Sequence, residues 1–130
     1  MTTFTDRRWV LVIEDLRDQA ELWTDVCAEA GLNAMTASTG VQGYRSACES
    51  PPAIIILDLT LPDIDGWEVC RRLKTDGRTK HVPIVILTAR DEPRGAKRAA
   101  EAGCAAYLKK PCPPGELIAV IKRALSEDAV

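Results

Sequence analysis

The chain has 130 residues, 46% hydrophobic and 28% charged, and its 17 Lys and Arg against 19 Asp and Glu leave a net charge of −2. That length supports one domain burying about two thirds of its unfolded surface without a disulfide or structural metal, and 8 Gly with 8 Pro exclude collagen-like and low-complexity chains. The charge balance offers no field to draw in nucleic acid or an anionic membrane.

The five cysteines, Cys27, Cys48, Cys70, Cys104 and Cys112, are spaced 21, 22, 34 and 8 residues apart. An odd total without a C-x-x-C pair is neither a zinc ladder nor a disulfide framework, and reads as free core thiols in a reducing compartment. Between Arg7-Arg8 and Glu14-Asp15 only Trp9 to Ile13 is apolar, too short for a signal peptide. No run is long enough to span a bilayer, and the expected location is the cytoplasm.

In chain order, Trp9 to Ile13 is a continuous apolar run closed by two acids, which predicts a buried strand. Leu16, Ala20, Trp23, Cys27 and Ala30 step by four and three, and Gly31 stands where a helix C-cap belongs. Leu32 to Ala37 is a weaker strand, and Thr39 to Ser50 a second helix ended by Pro51-Pro52. Ala53 to Leu57 is the most apolar run, which predicts a central parallel strand stopping at Asp58. Asp65-Gly66 opens a helix through Lys74, and Val82 to Leu87 is a fourth strand ending at Thr88. Glu92 to Ala102 has helical spacing with only alanines as apolar residues and Pro93 in the first turn. Cys104 to Leu108 predicts a fifth strand, and Pro113 to Leu125 a last helix striped by Leu117, Ile118, Ile121, Ala124 and Leu125. Strict strand-helix alternation implies a doubly wound α/β three-layer sandwich, (βα)5, with a five-stranded parallel sheet, as a single domain over residues 1–130.

Four strand ends carry polar residues: Glu14-Asp15, Asp58, Thr88 and Lys110. In a parallel sheet these ends share one edge, where open α/β sheets bind ligands. Three carboxylates gathered there repel by about 4 kcal/mol per pair at ~4 Å and an effective dielectric near 20, so protons or a cation must relieve them. Hard oxygen ligands in an open site favour Mg²⁺. Lys110 supplies a fixed positive charge and Thr88 a hydroxyl donor, both suited to phosphoryl oxygens. No Ser or Cys is paired with a base there, so the nucleophile is a carboxylate able to form an aspartyl phosphate.

Over residues 8–126 the chain resembles the receiver domains of two-component response regulators. The matching segments are VLVIED, IIILDLTLPDIDG, VPIVILTA and AAYLKKP. The resemblance implies the flavodoxin-like strand order 2-1-3-4-5. It further implies Asp58 as phosphoacceptor, Asp15 as a direct Mg²⁺ ligand, Glu14 holding the metal through water, and the Thr60 backbone carbonyl as the remaining protein ligand. Thr88 resembles the switch hydroxyl, Lys110 the phosphate-binding lysine with Lys109 its exposed neighbour, and Tyr107 the switch aromatic. The family pattern also implies a cis Lys110-Pro111 bond. By the same resemblance Thr60 and Arg90 fall at variable positions that tune acyl-phosphate hydrolysis in the family, and Arg90 is expected to cover part of the phosphoryl group. Cys112 replaces the usual aromatic after Lys-Pro, and Ala105-Ala106 a commonly acidic pair.

Singly, each polar residue has a plainer explanation. Asp15 fits a cap of the first helix with Asp18 three residues on, Asp58 a turn satisfied by loop amides, Thr88 a strand-end hydroxyl, and Lys110 a solvated surface lysine. Their joint occurrence at four strand ends favours the site. The function implied is a regulatory switch rather than an enzyme in the ordinary sense. On this reading a histidine kinase or histidine phosphotransfer protein is expected to phosphorylate Asp58, and a downstream effector to read the face of the fourth helix, fifth strand and fifth helix. A monomer or weak homodimer is compatible with this. The alternatives are a receiver-fold scaffold working without phosphorylation and a small aspartyl-phosphate hydrolase. Thr60, standing where such hydrolases place a second acid, argues against the latter. A flavodoxin-like cofactor carrier is disfavoured because Glu14, Asp15 and Asp18 would repel its phosphate.

Overall fold

The alternation of apolar side chains along each strand decides which helices cover which face of the sheet. A computed structural model describes residues 9–129. The elements run β1 (Trp9–Ile13), α1 (Arg17–Glu29), β2 (Asn33–Ala37), α2 (Gly40–Glu49), β3 (Ile54–Leu57), α3 (Gly66–Thr75), β4 (Ile84–Thr88), α4 (Gly95–Glu101), β5 (Ala106–Lys109) and α5 (Pro114–Ala129). All strand pairs are parallel, in the order β2-β1-β3-β4-β5.

Val10, Val12, Ile54, Ile56, Val85 and Leu87 point to one face, where they pack on Trp23 and Cys27 of α1 and Leu117 and Ile121 of α5. Leu11, Ile13, Ile55, Leu57, Ile84 and Ile86 point to the other, against Ala47 of α2, Val69, Cys70 and Leu73 of α3, and Ala99 of α4. β3 and β4 are buried at every position, and each such side chain contributes about 1.5–3 kcal/mol. The strands that end at Asp58 and Thr88 are therefore the most firmly held. β2 is an edge strand, with Met35 60% exposed. The winding direction reverses between β1 and β3, so a crevice opens beyond their carboxyl ends.

Local chemistry explains most boundaries. Thr39 caps α2 by accepting from the Gln42 N–H at 3.0 Å, and Asp65 caps α3 through the Trp67 N–H at 2.8 Å. Gly31, with φ +82°, follows α1 and lets the Leu32 N–H reach the Cys27 carbonyl at 2.9 Å.

Several boundaries differ from the sequence expectation. α4 starts at Gly95 rather than Glu92, because Arg94 takes a left-handed conformation (φ 61°) that breaks the helical path, leaving Pro93 in the preceding turn. β4 starts at Ile84 rather than Val82, since Pro83 has no N–H to give the ladder. β5 starts at Ala106 rather than Cys104, whose N–H is engaged by the Ala99 carbonyl of α4 at 2.9 Å. α5 runs on past Leu125 to Ala129. The helix after β1 is capped by Leu16 without a side-chain bond, so Asp15 is not its cap.

Candidate functional site

Lys110 follows β5, and its side chain runs back under the sheet edge to lie between two acids distant in sequence. Its Nζ donates to Glu14 Oε1 at 2.5 Å and to Asp58 Oδ2 at 3.1 Å. The Lys110, Glu14 and Asp58 side chains are 10%, 3% and 9% exposed. The solvated-lysine reading of Lys110 is thus excluded. The Lys110-Pro111 peptide bond is cis, as the family pattern implies.

The two carboxylates respond differently to the shared ammonium. Burial pushes Asp58 up, but the Thr60 N–H, donating to Oδ1 at 3.1 Å, and Lys110 overcome it and hold the carboxyl below its ordinary value. For Glu14 burial prevails over the bonds from Lys110 and the Leu16 N–H, and the Asp58 charge adds to it, so its carboxyl is raised. Lys110 is itself raised, because the two acids outweigh its burial. Of the pair, Asp58 is the carboxyl whose charged form its surroundings favour more.

Asp15, Asp58, Thr60, Arg90 and Lys110 line one cavity of about 750 Å³, whose apolar wall includes Leu16, Trp23 and Cys112. Asp15 is exposed there, while Glu14 is buried behind Lys110. Among the described residues, no three His, Cys, Asp or Glu side chains cluster closely enough to hold a metal by themselves. The expected crowding of three carboxylates is thus relieved in part by the Lys110 ammonium. The remaining donors at the cavity, the Asp15 and Asp58 carboxylates and Thr60, are hard oxygens. They suit Mg²⁺, which takes only one or two carboxylates and keeps several waters.

Thr88 is fully buried, and its hydroxyl accepts from the Arg90 N–H at 3.1 Å. Tyr107 is half-buried on the α4 side, so close to Gly95 that a Cβ there would lie 2.5 Å from the phenol oxygen. Arg90 borders the cavity, but its guanidinium is held away by Asp65 Oδ2 at 2.7 Å and Glu92 Oε2 at 3.0 Å. Glu92 also accepts from Trp67 Nε1 and Arg98, both at 3.2 Å, and the Arg98 guanidinium stacks 4.5 Å over the Trp67 ring. This network joins the loops after β3 and β4. Sequence reasoning missed it, although Asp65 was visible as the opening of a helix. Asp63 carries a second tie, accepting from the Gly40 and Val41 N–H groups at 2.8 Å, so the loop after the acceptor strand is anchored to α2.

Comparison with known proteins agrees with this architecture. Residues 10–122 match the response regulator receiver domain family, and the chain belongs to it. It is 34% identical over 118 residues to the transcriptional regulatory protein GltR of Pseudomonas aeruginosa, covering 91% of this chain and 49% of that protein. It is 30% identical over 118 residues to the polar-differentiation response regulator DivK of Brucella ovis, covering 91% of this chain and 96% of DivK. The chain thus spans about half of GltR and nearly all of DivK. A putative response regulator from Chloroflexus aurantiacus superposes with a TM-score of 0.85 at 32% identity, covering 92% of this chain and 98% of that one. A CheY-like receiver from Methanospirillum hungatei shares the fold, with a TM-score of 0.87 at 20% identity over 94% of this chain and 96% of that one. Receiver domains are regulatory modules of two-component signalling.

Proposed function

We propose that the chain is a phosphorylatable switch in which Asp58 accepts a phosphoryl group from a phosphohistidine of a histidine kinase or histidine phosphotransfer protein. The observation carrying this reading is the Asp58 carboxylate at the sheet edge, bonded by the Lys110 ammonium at 3.1 Å and open to a cavity shared with Asp15 and Thr60. A carboxylate oxygen of Asp58 attacks phosphorus, the P–N bond to the imidazole breaks, and the imidazole leaves with its bonding electron pair. Lys110 supplies positive charge to the phosphoryl oxygens, where preorganised charge lowers the barrier most.

Asp15, Asp58 and the Thr60 carbonyl would hold Mg²⁺ directly, with Glu14 acting through water. When bound, the ion neutralises the phosphoryl charge and orients its oxygens. Once Asp58 is modified, the Thr88 hydroxyl donates to the new anion. Its movement opens space for the Tyr107 ring, now against Gly95, and biases α4 and β5. Moving a population from 1:99 to 99:1 requires about 5.5 kcal/mol between states, which a few charge-assisted hydrogen bonds provide. The output face for an effector protein is then α4, β5 and α5.

The test is intact mass after incubation with acetyl phosphate, with and without Mg²⁺, on the wild type and Asp58→Asn. One phosphoryl group gained only with the metal and only with Asp58 is expected. No gain in folded wild type overturns the reading in favour of an interaction scaffold.

A further inference from the structure

The sulfurs of Cys70 in α3 and Cys104, in the turn between α4 and β5, lie 3.3 Å apart. This is a thiol–thiol contact between elements 34 residues apart in sequence. The remaining cysteines stand elsewhere. Cys27 and Cys112 belong to the core on the opposite face of the sheet, and Cys48 contacts Asp76.

We propose that Cys70 and Cys104 form a redox modification site, oxidised by a hydroperoxide to an intramolecular disulfide that ties α3 to the turn following α4. Three features of the site support it. Closing the pair to the ~2.05 Å of a disulfide requires the sulfurs to approach by only about 1.2 Å. Cys104 lies outside helix and strand, after Gly103 with φ +84°, so the approach is a side-chain movement that leaves its N–H bond to the Ala99 carbonyl in place. Cys104 is also half-buried rather than sealed, which gives an oxidant a way in, whereas Cys70 is 1% exposed. The contact with Cys104, helped by the charge of Lys74, lowers Cys70 despite its burial, and the contact and burial together raise Cys104. Lys74 is anchored beside the pair by the Val82 carbonyl at 3.2 Å, and a thiolate next to a lysine is the reactive form of cysteine.

The chemistry balances from either starting sulfur. The thiolate attacks a peroxide oxygen, the O–O bond breaks, and the departing hydroxide takes a proton to leave as water, giving a sulfenic acid. The neighbouring thiol then attacks that sulfur, the S–O bond breaks, and a second water leaves with the displaced proton. Two thiols are oxidised by two electrons, and one hydrogen peroxide is reduced to two waters. The product pins the carboxyl end of α4, because the Cys104 N–H is bonded to Ala99 O. A thiol reductant reverses it.

The experiment treats the folded chain with hydrogen peroxide, alkylates it under denaturing conditions, and reads intact mass and peptide map with and without dithiothreitol. Two of the five thiols are expected to become unreactive, with the Cys70 and Cys104 peptides joined and released by reductant. Cys104→Ser, at the half-buried position, removes the effect and keeps the fold, as checked by circular dichroism; Cys70→Ala does so independently. A folded wild type retaining all its thiols overturns the proposal. So does a bond between chains or to another cysteine, or sulfinic acid on Cys104 without a disulfide. The outcome is independent of whether Asp58 accepts phosphate.

Discussion

Replacing Lys110 by Met keeps the length and apolar stem of the side chain while removing the ammonium that, among the described residues, alone contacts Glu14 and Asp58. Both acids are nearly inaccessible, so two carboxylates are left without a counter-charge. Removing one partner of a buried ion pair costs about 3–5 kcal/mol. For 130 residues the unfolding entropy is about 0.27 kcal/mol/K, so the expected fall in Tm is about 11–18 °C. Without the lysine, burial and mutual repulsion raise the carboxyls in the folded state. A raised carboxyl favours the folded form when protonated and costs stability as pH rises above its unfolded value. The deficit should therefore be largest at pH 8 and shrink at pH 5. The assay is thermal unfolding of wild type and Lys110→Met at both pH values in chelator, so that no divalent cation substitutes for the lysine. Adding Glu14→Gln should recover part of the loss. A fall below about 4 °C that does not change with pH is what an exposed ion pair yields, and would refute the reasoning.

Other substitutions probe the surrounding frame. Gly66→Ala places a Cβ 2.5 Å from Leu59 Cα and 2.6 Å from the Asp58 carbonyl oxygen; backbone cannot step aside, so a loss of about 3 kcal/mol is expected from the urea midpoint. Arg94→Gly relieves the left-handed conformation ahead of α4 and should stabilise by about 1 kcal/mol, and an unchanged midpoint contradicts that. Glu68 is held down to about 2 by the hydrogen bonds from Arg71 and Arg72. Its contribution is present above pH 4.5 and is lost as pH falls through 2. The Tm gap between wild type and Glu68→Gln should close over that window, and a gap independent of pH rejects the pairing. Because the Arg90 guanidinium is tethered to Asp65 and Glu92 away from the cavity, Arg90→Ala should leave the lifetime of the phosphoryl group proposed on Asp58 unchanged, and a changed rate shows that Arg90 leaves its tether to cover that group.

The elements that carry the site were legible in the sequence because their signals are local. The isoleucine run before Asp58, the apolar strand closed by Glu14-Asp15, and the helix starts at Thr39 and Asp65-Gly66 each rest on signals within a few residues. Four polar strand ends in one parallel sheet also share an edge whatever the packing details. The start of α4 was less legible, because nothing in Glu92, Pro93 and Arg94 foretells that Arg94 adopts φ 61°. Which side chains meet was settled only by tertiary structure. Lys110 joins partners 96 and 52 residues away, Arg90 is drawn to Asp65 rather than left over the cavity, and Cys70 meets Cys104. Periodicity tells which face a residue occupies, whereas a contact depends on how far strands and helices are displaced along one another. That displacement is set by the packing of the two cores.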